Sequence, residues 1–128
     1  MGLFLPGDDR SGIWIDLELA EKLGINSAII IGRILWWIEK HITENEKNYF
    51  KEGRWWMYES LPSLQKYSTL GRDSILRVIK QLREAEIVLS HQFERSQGHN
   101  YNFYAIDAPK LTAILAQGGL VAKPDQGG

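Results

Sequence analysis

The segment YSTLGRDSILRVIKQL, residues 67–82, decides how this chain folds. Ile75, Val78, Ile79 and Leu82 recur at helical spacing and share one face. Arg72, Asp73, Arg77, Lys80, Gln81 and Glu84 fall largely opposite, so the periodicity predicts an amphipathic helix from Gly71 to Ala85. Immediately upstream, LPSLQKY has the marks of a short helix, with Ser60 as its N-cap and Pro62 in a first turn where a missing N–H costs little. Only the residues STL separate the two. A pair of helices joined by so short a break is a helix-turn-helix.

The flanks extend this unit. On the N-terminal side, NYFKEGRWWMY changes to a strand-like pattern, with Glu52-Gly53 as a two-residue turn that sets Phe50 opposite Trp55 and Tyr49 opposite Trp56. On the C-terminal side, IVLSHQFE and YNFYAID alternate as strands around a polar tip, RSQGHN. Further upstream, DLELAEKLG predicts a helix capped by Asp16 and stopped by Gly24. A second helix, from about Ser27 to Thr43 with Asn26 as cap, is apolar on nearly every side and is expected to be central or to meet a partner chain. PKLTAILAQ closes the chain as a short helix. The expected fold class is α+β, mainly α: a winged helix-turn-helix with an extra N-terminal helix and small antiparallel hairpins. Residues 1–12 are expected as a flexible arm, 13–116 as the folded domain and 117–128 as a flexible linker or tail.

Composition narrows the function. The chain has 128 residues, no cysteine, and a formal net charge of −1 from 15 basic and 16 acidic side chains. Disulfide scaffolds, thiolate metal sites and cysteine nucleophiles are excluded. No phosphate-binding Gly loop, HExxH, GxSxG or paired-carboxylate motif is present, so no enzyme activity, cofactor or metal is expected. The longest apolar run, residues 27–38, is interrupted by Arg33 and is shorter than the roughly 20 residues that span a bilayer. A cytoplasmic location without membrane contact is expected. Any affinity for polyanions must come from local charge: residues 65–100 carry six basic side chains (Lys66, Arg72, Arg77, Lys80, Arg83, Arg95) against four acidic ones (Asp73, Glu84, Glu86, Glu94).

The run FKEGRWWMYESLPSLQKYSTLGRDSILRVIKQLREAEIV, followed by NYNFYAID, resembles the winged-helix domain of phage- and plasmid-type replication initiator proteins. Phe50, Gly53, Trp55, Trp56, Ser60, Ser74 to Arg77, Leu82 and Asn102 to Asp107 carry the likeness. LGINSAIIIGRILWWIEKH resembles that family's first long helix, so the likeness spans roughly residues 14–108. It implies double-stranded DNA binding in replication, with recognition rather than catalysis as the activity. The family pattern usually has Gly after the recognition helix, where this chain has Ala85-Glu86-Ile87. A left-handed non-glycine cap there would cost roughly 1 kcal/mol, so a differently built helix end is expected.

On this reading the DNA-contacting residues are Lys66, Thr69, Arg72, Asp73, Ser74, Arg77, Lys80 and Gln81 of the two helices, with Arg95, Gln97, His99 and Asn100 at the wing. Arg suits guanine edges, and Ser suits phosphate or base edges. The competing readings are a solvated helix face with Arg77 paired to Asp73 at i,i+4, and an ordinary polar hairpin loop. Ile30, Ile34, Trp36 and Trp37 suit either a homodimer face or a monomer core. His91 and His99 facing each other across the strands would make a poor metal site without a third ligand. A winged-helix transcription regulator, or a protein–protein module in place of DNA binding, stands as the alternative function. A second copy of the chain and a protein of the replication machinery are the other partners this reading admits.

Overall fold

The computed structural model describes residues 15–96 and 98–118, with the backbone alone at residues 94–96, 99 and 100. The expected arm at 1–12, most of the expected tail at 117–128, and Gln97 lie outside the described residues.

Asp16 accepts hydrogen bonds from the amides of Glu18 and Leu19 and so starts α1 (Leu17–Leu23). Gly24, at φ 97°, ends it and at once opens α2 (Ile25–Thr43). A single residue thus joins two helices, a reversal that positive φ permits in glycine at little cost. Asn26 lies inside the first turn of α2 instead of capping it, because the chain turns two residues earlier than the Asn suggested.

Ala28, Ile30, Ile31 and Ile34 of α2 are almost fully buried. They join Ile75, Val78, Ile79 and Leu82 of α4 (Arg72–Glu84), together with Ile87 and Val88, in the main core. Four large apolar side chains spaced along one face of α4 are what seat it against α2.

Between α2 and α4 run β1 (Phe50–Lys51), β2 (Arg54–Trp55) and α3 (Leu61–Ser68). Phe50 pairs with Trp55 in the expected register, and the Trp56 amide donates to Tyr49 O at 2.8 Å. Both turn residues have positive φ, 53° at Glu52 and 81° at Gly53, the signature of a type I′ turn.

The second hairpin joins β3 (Val88–Ser96) and β4 (His99–Ile106). Its pairing runs out to Ser96 opposite His99, with a register shift between Glu94 and Ser96. Arg95, His99 and Asn100 are therefore strand residues, and the tip is shorter than the six-residue loop expected. His91 lies opposite Phe103, so the two histidines do not face each other across the strands.

This second hairpin is covered on both faces. One face, through Val88, Tyr104 and Ile106, belongs to the helical core. The other carries Phe103, Ala105, Leu89, Phe93 and Tyr101 and packs on Trp56, Tyr49 and Tyr58. A backbone bridge from Met57 to Tyr104 ties the connecting segment to the edge of β4. α5 (Ala108–Ala116), capped by Asp107, returns to the main core through Ile114.

Two helix ends share one design. Asn45 (φ 55°) follows α2, with Glu46 N–H donating to His41 O and Asn45 N–H to Ile42 O. Glu86 (φ 64°) follows α4, with Ile87 N–H donating to Leu82 O and Glu86 N–H to Arg83 O. Both are Schellman closures. The α4 end thus has the ordinary geometry, contrary to expectation, with a glutamate bearing the strain. Burial of Ile87 and the bond from the Asp107 amide to Ile87 O hold the chain in that conformation.

One charged group of α2 is largely withdrawn from solvent, with 15% of its side chain exposed. Arg33 donates from Nε and Nη2 to the two carboxylate oxygens of Glu59, at 2.7 and 2.6 Å, and Ser63 Oγ donates to the same carboxylate at 2.6 Å. The guanidinium lies 4.5–5.3 Å from the ring centres of Tyr67, Trp36 and Trp37. Nearby, His41 is 5% exposed, stacked on Tyr49 at 3.7 Å and on Trp37 at 5.4 Å. Neither His41 Nε2 nor Trp37 Nε1 has a hydrogen-bond partner among the described residues.

Three stability measurements follow from these contacts. Glu59→Ala leaves the buried guanidinium without its carboxylate and is expected to lower unfolding free energy by about 3 kcal/mol in urea titrations. Glu86→Gly removes the left-handed strain and is expected to add about 0.5–1 kcal/mol, less any loss of the exposed Lys110 contact. Burial lowers the His41 pKa, with Glu46 and Glu44 partly opposing and Lys40 assisting. The unfolded chain therefore binds this proton more readily than the fold does. The contribution is intact above the ordinary histidine value of about 6.5 and is lost as pH falls below it toward the folded-state pKa. Thermal unfolding between pH 7.5 and 5.5 is expected to lose less stability in His41→Phe than in the wild type.

Candidate nucleic-acid interface

The turn between α3 and α4 is built from local hydrogen bonds. Ser60 Oγ accepts from the Ser63 amide and starts α3. Thr69 stops it in the left-handed region at φ 63°, its amide donating to Gln65 O. Buried Ser68 accepts from the Leu70 amide at 3.1 Å, and Gly71 then serves as N-cap of α4 in an extended conformation, φ −75° and ψ 164°. The turn holds Thr69, Leu70 and Gly71, and α4 begins at Arg72, one residue later than the sequence pattern suggests.

α4 is sharply two-sided. With Ile75, Val78, Ile79 and Leu82 inward, Arg72, Asp73, Leu76, Arg77, Lys80, Gln81, Arg83 and Glu84 are exposed and Ser74 is half-buried. Arg72, Leu76 and Lys80 stand at i, i+4, i+8, and Asp73 and Arg77 stand beside them. Leu76, 43% exposed, puts an apolar spot inside a polar face. Lys66 and Thr69 are exposed on the neighbouring helix and turn, so the structure gathers eight of the expected contact residues on or beside one helix–turn–helix surface.

The ion pairs divide the cations into two groups. Lys22, Arg33, Lys40 and Lys110 each pair with a carboxylate. Among the described residues, no carboxylate pairs with Lys66, Arg72, Arg77, Lys80 or Arg83, nor with Lys47, Lys51 or Arg54. The Asp73–Arg77 pair expected for a purely solvated face is absent from this set. Asp16, Ser60 and Asp107 cap α1, α3 and α5 with side chains, whereas α2 and α4 start at Gly24 and Gly71 with no side-chain cap. The first amides of α4, carrying the positive end of the helix dipole, are open to an anion.

The remaining expected residues divide. Arg95, His99 and Asn100 are placed at the end of the second hairpin by its backbone pairing, and Gln97 lies outside the described residues. Ile30 and Ile34 are 0% and 1% exposed within a single chain, so neither is available as a dimer face; Trp36 and Trp37 are half-buried around Arg33. Among the described residues no group of three or more His, Cys, Asp or Glu could hold a metal ion, and no helix is long and apolar enough to cross a membrane.

Sequence reasoning overlooked the Arg33–Glu59–Ser63 cluster, although a single Arg within an apolar helix was a visible signal for a buried partner. It also gave no role to the cations of the first hairpin, Lys51 and Arg54, taken only as part of a strand pattern. Comparison with protein-family models, curated proteins and solved structures finds no match for this chain.

Proposed function

We propose that the chain is a winged-helix domain that binds double-stranded DNA. In this reading α4 enters the major groove and the β3–β4 hairpin acts as the wing against the flanking backbone. The observation that carries it is the row of cations Lys66, Arg72, Arg77, Lys80 and Arg83, none of them paired with a carboxylate among the described residues, on α3 and along the exposed face of a helix whose opposite face is committed to the core. Arg72 and Arg77 suit base edges, Leu76 suits a thymine methyl, and Lys66 and Lys80 suit phosphates. The open amides of α4 add a phosphate site at its N-terminus.

The resemblance to phage- and plasmid-type replication initiators supports a role as the DNA-binding domain of such a protein; regulation of transcription would use the same surface. A protein–protein module is the second reading. Exposed Leu76 and Tyr67 favour it, since both offer apolar contact without charge.

Titration of labelled duplex DNA by fluorescence anisotropy separates these readings. Binding is expected to weaken with salt by a slope near −0.9 per phosphate contacted. Arg72→Ala and Arg77→Ala are each expected to weaken it by about 1–3 kcal/mol where they touch bases. Gly71→Asp is a sharper test, because nothing lies within 4 Å of the added Cβ and the backbone there already suits an N-cap. It should leave the fold intact or slightly stabilised, yet repel a phosphate at the helix start and lower duplex affinity. Absence of duplex binding at tens of micromolar protein in low salt would favour the protein–protein reading.

A further inference from the structure

Leu76 is the apolar residue of the exposed α4 surface, and what borders it sets it apart. Leu17 and Ile42, exposed on α1 and α2, each have a glutamate one helical turn away, Glu21 and Glu39. Leu76, 43% exposed, has Arg72 at i−4, Lys80 at i+4, Arg77 next in sequence and Asp73 at i−3, all exposed on the same helix. Residues three and four apart on a helix are neighbours, so these charges border the leucine by the geometry of α4 alone. Ile75, Val78, Ile79 and Leu82 already seat the helix in the core, and Leu76 takes no part in that contact.

This mixture of side chains separates base edges from phosphates. A surface that held only the sugar–phosphate backbone would need cations; an acid would be repelled there and a leucine would gain nothing. The floor of the major groove offers a complement to all three. Guanine O6 and N7 accept from arginine, the cytosine N4 amine donates to a carboxylate, and the C5 methyl of thymine meets an apolar side chain. The border of cations also favours a polyanion over an apolar protein patch as the cover of Leu76. None of Arg72, Arg77 and Lys80 has a carboxylate partner among the described residues. Leucine has no donor or acceptor, so it reads the methyl group itself and not the hydrogen-bonding edge of the base. 5-Methylcytosine carries the same group at the same position of its ring.

Resting on the duplex-binding reading above, we infer that α4 is a reader of pyrimidine C5 methyl groups, with Leu76 as the specificity-determining residue. Thymine and 5-methylcytosine are preferred over uracil and unmethylated cytosine at one position of the target. Methylation of cytosine at that position therefore raises affinity, and the site is sensitive to DNA methylation.

The test selects preferred duplexes from a randomised pool with the full chain. Anisotropy titrations then follow with deoxyuridine in place of each thymine of the selected duplex, an exchange that removes one methyl group and keeps the base pairing. At one position this is expected to weaken wild-type binding about fourfold, the worth of one buried methyl group. Cytosine at that position is expected to bind more weakly than 5-methylcytosine by a similar factor. Leu76→Ala, at an exposed helical site where alanine is the better helix former, is expected to remain folded by circular dichroism and to bring both ratios close to one. Lys80→Ala should weaken thymine and uracil duplexes alike and keep the ratio, which separates methyl reading from a general loss of affinity. A pool that binds without enrichment of any sequence, a selected duplex that tolerates deoxyuridine everywhere, or a Leu76→Ala ratio equal to that of wild type would each overturn the assignment and leave duplex binding standing. Failure to bind any duplex of the pool at tens of micromolar protein would overturn both.

Discussion

The arrangement of this protein depends on the charge of Arg33. An arginine in the middle of an otherwise apolar helix cannot be buried without a counter-ion and matched hydrogen bonds. Glu59 supplies both carboxylate oxygens in a forked geometry, and Ser63 fills a further acceptor site on the same group. Glu59 stands immediately before the cap of α3, and Ser63 lies in its first turn. The pair therefore fixes where α3 begins relative to α2. Tyr67, one helical turn beyond Ser63, lays its ring on the guanidinium and fixes the helix's rotation as well. Everything downstream, including the turn at Thr69 and the seat of α4, inherits that placement.

The second constraint is that the base of the β3–β4 hairpin is covered on both faces. A two-stranded ribbon is marginal by itself, and here the helices cover one side while the Tyr49–Tyr58 segment covers the other. A chain of ring contacts continues from Phe103 through Tyr49 and His41 to Trp37 and Trp36, so the β3–β4 hairpin and α2 are coupled through packed aromatic surface. The ribbon is held between two layers near Val88 and Ile106, where it meets the helical core. Among the described residues, the cations without a carboxylate partner lie mostly on the α3–α4 unit and on the first hairpin, outside the set of ion pairs.

Much of the architecture was legible along the chain. Ile75, Val78, Ile79 and Leu82 declare the buried face of α4, Ser60 and Asp16 declare helix starts, and Glu52-Gly53 declares the hairpin register, because each signal depends on neighbours a few residues away. The errors have the same origin seen from the other side. The end of α4 looked incompatible with Glu86, yet the contacts of Ile87 outweigh roughly 1 kcal/mol of local strain. The tip of the β3–β4 hairpin looks like a six-residue loop, yet cross-strand pairing extends through polar residues whose composition suggests a turn. Ile30 and Ile34 looked equally suited to a partner and to a core, since apolarity alone does not say what covers a side chain.

By itself, the sequence determined the order of elements, the caps, the two-sidedness of α4 and the short turn ahead of it, all consequences of spacing and local hydrogen bonding. Only the tertiary structure decided which charges are matched. Arg33 meets Glu59 across 26 residues, and Asp73 and Arg77, ideally spaced on one helix, do not pair. Local periodicity specifies which face a side chain occupies. Whether that side chain then finds an acid, a ring or open solvent depends on distant segments brought together by burial of the apolar faces, and it was this that set the cations of α4 and of the first hairpin apart.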